Sequence, residues 1–172
     1  AGHDRKAPLT MCNQHRRQFL GRLATGGLLL TPLAAALSGC TDDKWPEGMK
    51  SIIWDRDTCV RCNMAISDRR FAAELRGGPK DTVFKFDDPG CLVFWLEEKR
   101  ERFPWMDDAS TRLWVADYNS KSRDEMVWHD PRQVRYVTRT SPMGYNYAAA
   151  SEAGTDSLSY DEMRQQTLAK GK

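Results

Sequence analysis

Three soft sulfur donors lie within six positions of this chain. Cys59, Cys62 and Met64 belong to the stretch Cys-Val-Arg-Cys-Asn-Met at residues 59–64. Thiolates and thioethers are the donors that select Cu(I) over hard cations such as Mg²⁺ and Ca²⁺. The Cys-x-x-Cys spacing also fits a thiol–disulfide redox pair or a structural disulfide. The stretch therefore predicts a copper site, with a redox pair and a disulfide as the alternatives.

Three further residues are candidate metal ligands. Cys91 follows a predicted helix start, where the helix dipole favours an acidic, reactive thiol, although an inert thiol packed in the core is the alternative. His129 is either a nitrogen ligand or a surface turn residue. Met143 lies in the turn Ser-Pro-Met-Gly, which exposes its thioether, whereas Met126 and Met163 are expected to pack in the core.

The first forty residues carry two export signals. Arg16 and Arg17 begin a twin-arginine motif, and an apolar run at 23–37 is too short to span a bilayer. The run ends at Leu-Ser-Gly-Cys, which is typical of a bacterial lipobox. We therefore expect residues 1–39 to be a cleaved leader, Cys40 to be lipidated and 40–50 to form a tether. An uncleaved signal anchor is the alternative.

Cleavage changes the charge and the cysteine count. The full chain of 172 residues has 26 basic and 24 acidic residues. Without residues 1–39 it has 133 residues, 21 of them basic and 23 acidic, a net charge of −2. This balance excludes a basic nucleic-acid surface. Cys59, Cys62 and Cys91 are an odd set, so at least one thiol is free.

The order of apolar runs and turns predicts an α+β fold of two related ββαβ-type halves packed into one compact unit. Asp88 as a cap and Pro89 at the first helical position mark one helix start, and a Ser159–Glu162 capping box marks another. The second helix is expected at 160–169. Strands are expected at 51–54, 70–75, 82–86, 113–117, 126–128 and 134–138.

Five short stretches, taken in order, resemble the NosL lipoproteins, accessory proteins of nitrous oxide reductase. They are Cys-Val-Arg-Cys-Asn-Met-Ala-Ile at 59–66, Phe-Asp-Asp-Pro-Gly-Cys at 86–91, Val-Ala-Asp at 115–117, Trp-His-Asp at 128–130 and Ser-Pro-Met-Gly-Tyr at 141–145. The resemblance implies a copper-binding domain over 51–172, with halves at about 51–106 and 107–172.

The resemblance also implies a function. The protein is expected to be a periplasm-facing, lipid-anchored Cu(I) chaperone, not an enzyme. It is expected to feed copper toward the copper-sulfide centre of nitrous oxide reductase, with a membrane transporter complex as a further partner. The alternatives are an envelope thiol–disulfide oxidoreductase that uses the Cys-x-x-Cys pair, and a lipoprotein scaffold with structural thiols.

The metal ligands implied by the resemblance are Cys62 and Met64, from a Cys-Gly-Met motif in which this chain has Asn63. Asn tolerates left-handed backbone angles, so the turn is expected to survive. Some members use a His as third ligand, near the position where this chain has Ala116. His129, Cys91 and Met143 are the candidate replacements, and Cys59 is expected to assist.

Overall fold

The computed structural model describes residues 44–171, so the predicted leader and the lipidation of Cys40 lie outside the described residues. Helices and strands are both present, which confirms the α+β class. The helices are α1 (Pro89–Glu98) and α2 (Tyr160–Ala169), with a 3-10 turn at Pro104–Asp107. The strands are β1 (Ala73–Gly77), β2 (Thr82–Phe86), β3 (Arg112–Ala116), β4 (Trp128–His129), β5 (Arg135–Thr138) and β6 (Tyr147–Ala150).

The strands form two antiparallel sheets. One has the order β2-β1-β3-β4, and the other pairs β5 with β6. The segment β1-β2-α1-β3 has the expected strand-strand-helix-strand order, whereas β5, β6 and α2 form only strand-strand-helix within the described residues. In the four-stranded sheet, Phe86, Ala73, Val115 and His129 pair in one row from edge to edge.

One face of the four-stranded sheet packs on α1. Phe84 and Phe86 of β2 project toward this helix, where both rings contact Trp95 at centroid distances of 5.1 and 6.3 Å. Leu75 pairs with Phe84 and is fully buried on the same face. Since residues directly opposite in a sheet share a face, this row forms the core between the sheet and α1.

Residues 44–51, the crossing segment, cover the other face of the sheet. Trp45 packs on Trp128 of β4, with ring centroids 5.5 Å apart. The Lys50 N–H donates to the Glu74 carboxylate on β1 at 2.8 Å. The Ser51 carbonyl accepts from the Lys85 side chain of β2 at 2.6 Å. The crossing segment therefore passes from one edge of the sheet to the other.

Two strand predictions are wrong in instructive ways. Residues 51–54 form no strand. The crossing segment that leads into them bonds through its backbone to side chains of the sheet, the Glu74 carboxylate and the Lys85 ammonium group. Residues 148–150 belong to β6, which we did not expect to be a strand. The strands β1, β3, β4 and β5 start one to three residues from their predicted positions, and β2 matches at both ends.

Both helix starts are confirmed. The Asp88 side chain accepts from the Gly90 N–H at 2.8 Å, with Pro89 at the first helical position. Ser159 and Glu162 form the predicted capping box, and α2 ends at Ala169 as expected. Among residues 44–171, neither helix is long and apolar enough to cross a bilayer.

Candidate metal centre

Four ligand groups converge between a loop and the start of α1. They are the thiols of Cys59, Cys62 and Cys91 and the carboxylate of Asp87, which we call the Cys3Asp cluster. One ligand atom from each lies within 4.8 Å of all the others. All three cysteines are free. The fold therefore unites the Cys-x-x-Cys pair with a thiol about thirty residues further along the chain.

The loop that carries the pair is closed by its own backbone. Thr58 and Ala65 form an isolated antiparallel bridge, and the Cys59 N–H donates to the Met64 carbonyl at 2.8 Å. Asn63 occupies the left-handed region with φ of 61°, as expected for the residue that replaces Gly in the motif. This turn places Cys62 at the tip of the loop, with Met64 just beyond it.

Helix α1 supplies the other half of the cluster. Asp87 directly follows the last residue of β2, and Cys91 is the third residue of the helix. Between them, the buried Asp88 caps the helix and also accepts from the Met143 N–H at 3.1 Å. The turn at 141–145 is thereby held beside the helix start.

Arg61, between the two loop cysteines, fastens the loop to α1. Its guanidinium pairs with Glu98 at 2.8 Å and donates to the Tyr145 hydroxyl at 2.6 Å. The same group lies 4.4 Å from the centre of the Phe94 ring, a cation–π distance. These contacts orient Cys59 and Cys62 toward the helix.

The thiols have different proton affinities. Hydrogen bonds from the Cys91 thiol and from the backbone N–H groups of Arg61, Cys62 and Asp87 lower the pKa of Cys59 well below the ordinary thiol value. The pKa of Cys91 is raised, first by its bond to Cys59 and then by burial. Of the two alternatives for Cys91, the structure favours the buried core thiol, and the lowered pKa belongs to Cys59 instead.

The remaining two groups have raised pKa values. Burial raises the pKa of Cys62 to about 12 and the pKa of Asp87 to about 6. The Cys62 thiol donates to the Asp87 carboxylate, with 3.2 Å between Sγ and Oδ1. A metal ion that binds here must therefore displace protons from the cluster.

Solvent exposure increases from the inner cysteines of the cluster to the tip of the loop. Cys59 and Cys91 are fully buried and Asp87 is 2% exposed. Cys62 is half-buried, and Met64 is 57% exposed. We call Cys62 and Met64 the open edge, because a partner can reach the cluster only where side chains are accessible.

The structure does not bring His129 to the cluster. Its Nε2 atom lies 2.8 Å from the buried Asp117 carboxylate. His129 ends the row of paired residues that starts at Phe86, next to Asp87. Three strand spacings separate the two ends, about 14 Å. Met143, in contrast, is held through its backbone beside the start of α1.

Sequence reasoning missed Asp87 as a candidate ligand. It stands beside Asp88, whose role as helix cap explained the acidic pair. The signal was available in the stretch Phe-Asp-Asp-Pro-Gly-Cys, because a helix needs only one N-cap residue. The second carboxylate, four residues before Cys91, therefore required another explanation.

The donor set fits a thiophilic metal ion. Three thiols and one carboxylate are ligands for Zn(II), and two or three thiolates suit Cu(I). Two sulfur atoms at about 2.3 Å from one ion are at most roughly 4.6 Å apart, so the cluster needs little contraction to bind. The geometry thus supports metal binding at this place.

Comparisons with known proteins give one structural likeness to report. No protein-family model matches the chain, and no curated protein matches it in sequence. A similar solved structure is the crystal structure of the copper chaperone NosL from Shewanella denitrificans, with 17% sequence identity and a TM-score of 0.45. The alignment covers 70% of this chain and 89% of that chain.

Proposed function

We propose that this protein is a Cu(I) metallochaperone. The observation that carries the proposal is the open edge, where the half-buried Cys62 thiol lies within 4.8 Å of two buried thiols and the exposed Met64 follows two residues later in the same loop. One Cu(I) per chain binds to Cys62 and Met64, with Cys59 assisting. Soft sulfur donors hold Cu(I) and leave hard cations in solution.

The accessibility of the open edge favours transfer over permanent storage. A chaperone passes its ion on by ligand exchange, so an acceptor's donor atoms must approach the bound metal. Met64 is among the few large apolar side chains of residues 44–171 that are exposed, at 57%. A weak, accessible thioether beside a stronger thiolate provides a ligand that an acceptor can displace first.

The destination of the copper is part of the same proposal. The five NosL-like stretches support delivery to the copper-sulfide centre of nitrous oxide reductase, with a membrane transporter complex as partner. The twin-arginine motif and the lipobox at Cys40 support export and a lipid anchor in the cell envelope, on the periplasmic side.

A thiol–disulfide oxidoreductase is the alternative, and the low pKa of Cys59 favours it. The burial of the site argues against it. Cys59 and Cys91 are fully buried, and the accessible Cys62 has a pKa raised to about 12. An attacking thiol needs both access and thiolate character, and no thiol of the cluster combines them.

The test is an anaerobic Cu(I) titration of the reduced full chain against a competing chelator. Wild type is expected to bind one Cu(I). Cys62→Ser should abolish tight binding and Met64→Leu should weaken it, by about tenfold. Met126→Leu, a partly buried Met that packs on the core, is the matched control and should bind as wild type does.

Two results would contradict the proposal. Undiminished affinity in Cys62→Ser would remove the site assignment. Turnover of a model disulfide without copper, lost in Cys59→Ser, would favour the oxidoreductase.

A further inference from the structure

We propose that the Cys3Asp cluster is a tetrahedral divalent-metal site of the Zn(II) class, with Asp87 as its oxygen ligand. This site adds Cys91 and Asp87 to the proposed Cu(I) ligands, shares Cys62 and Cys59 with them, and leaves out Met64. The inference goes beyond the copper proposal and does not depend on it.

The first argument is the position of the carboxylate. Asp87 is 2% exposed, and within residues 44–171 its side chain hydrogen-bonds to the three thiols. Thiols are weak donors, so a buried carboxylate among them lacks the partners that offset its desolvation. A bound cation at the centre of the cluster provides them.

The second argument is charge. Two cationic side chains from the segments that carry the cluster are paired with other carboxylates. Lys85 pairs with Asp57 at 2.6 Å, and Arg61 with Glu98 at 2.8 Å. Four ionised ligands in a buried volume repel one another strongly. A divalent ion offsets more of this charge than a monovalent ion does.

The third argument is the donor set. Cu(I) prefers soft donors and gains little from a carboxylate, whereas Zn(II) binds thiolates and carboxylates alike and takes four ligands in closed sites. Four such donors around one Zn(II) lie roughly 3.5 to 3.8 Å apart. The farthest pair of the cluster, at 4.8 Å or less, needs to close by about 1 Å.

The backbone around Cys59 supports the same conclusion. The N–H groups of Arg61, Cys62 and Asp87 bond to its sulfur. Donors that surround a ligand atom fix its position and hold it in the charged form that binds metal. The thiol with this arrangement, Cys59, is fully buried, and it only assists in the proposed Cu(I) site.

Sharing of Cys62 has a consequence for both metals. One thiolate cannot complete both sites at full strength, so Zn(II) in the cluster and Cu(I) at the open edge compete. Zn(II) would also join the loop at 58–65 to α1 and stabilise the fold, since a ligand that binds only the folded state raises its stability.

The test uses Co(II), a spectroscopic substitute for Zn(II), with the reduced, metal-free full chain. We expect one Co(II) per chain, visible bands of tetrahedral cobalt, thiolate-to-cobalt charge transfer and displacement by Zn(II). In Cys91→Ser the charge-transfer intensity should fall by about a third, since two of three thiolates remain. Bands of six-coordinate cobalt, or an unchanged intensity in Cys91→Ser, would overturn the site.

Asp87→Asn tests the oxygen ligand. Its Zn(II) affinity should fall by about 100-fold or more, exceeding the loss typical of groups beyond the ligands. Asp117→Asn is the matched control, because Asp117 is equally buried and lies beside His129. Wild-type Zn(II) affinity in Asp87→Asn, or an equal loss in Asp117→Asn, would overturn the assignment. A circular dichroism spectrum and a urea midpoint close to those of wild type would show that Asp87→Asn is folded.

Discussion

The Cys62 Sγ atom lies 3.2 Å from Oδ1 of Asp87. This contact joins the tip of the loop at 58–65 to the residue that precedes the cap of α1. A direct side-chain contact thus joins two segments that are distant in sequence.

Oxidation should switch off copper binding. A disulfide between Cys59 and Cys62 removes the thiolates, and only thiolates bind the metal. We expect Cu(I) binding to fall sharply on mild oxidation and to return on reduction, as measured by anaerobic chelator competition before and after each treatment. Copper binding that survives complete loss of titratable thiols would exclude these ligands.

Replacing Gly90 should destabilise the junction between α1 and the 141–145 turn. A Cβ at this position would lie 2.2 Å from two ring atoms of Tyr145. We expect Gly90→Ala to lose roughly 1–3 kcal/mol of unfolding free energy, the range for overpacked cores. Gly154→Ala is the control, because a Cβ there meets nothing within 4 Å. Equal urea midpoints for the two variants would contradict the close packing.

Glu74 should make stability depend on pH. Burial raises its pKa to about 7, and its Oε2 atom has no hydrogen-bond partner among residues 44–171. The folded state therefore binds this proton more tightly than the unfolded state. Its contribution is complete below the ordinary value of 4.5 and is lost as pH rises through 7. The full change is on the order of 3 kcal/mol.

Glu74→Gln should remove this pH dependence. The amide keeps the acceptor for the Lys50 N–H and adds no charge, so the variant should be more stable than wild type at pH 8 and similar at pH 4. Urea unfolding across this range measures it. Glu152→Gln, at an exposed position, serves as the control. A wild-type slope in Glu74→Gln would show that another group is responsible.

The lipid anchor has its own test. Cys40 ends the predicted lipobox, so Cys40→Ala should leave an unprocessed precursor and prevent incorporation of labelled fatty acid. The copper affinity of the variant should equal that of wild type, because the proposed Cu(I) ligands lie within residues 59–64. Normal maturation of Cys40→Ala would refute the anchor.

Local signals were sufficient for the helices and for the two loop cysteines of the cluster. The cap at Asp88, the capping box at Ser159 and the Cys-x-x-Cys spacing each depend on residues within a few positions. The strand of 147–150 was missed because three Ala residues have little strand preference. Pairing with β5, a tertiary contact, determines its conformation.

The complete cluster depended on contacts that sequence spacing does not encode. Cys91 was a candidate from its helix position, but its contact with Cys59 requires the loop to fold back on α1. The salt bridge from Arg61 to Glu98 spans 37 positions and supplies part of that arrangement. His129 was a candidate by residue type, and the strand order places it at the far edge of the sheet.

The crossing segment determines which end of the domain a lipid on Cys40 would hold. Lys44 pairs with Asp124, and Trp45 packs on β4. Four residues extend at most about 14 Å, so a lipid on Cys40 would tether the domain closely at its β4 edge. Cys62 lies near the opposite edge, beside β2. The bilayer would then shield one side of the domain and leave the metal-exchanging side open to soluble partners.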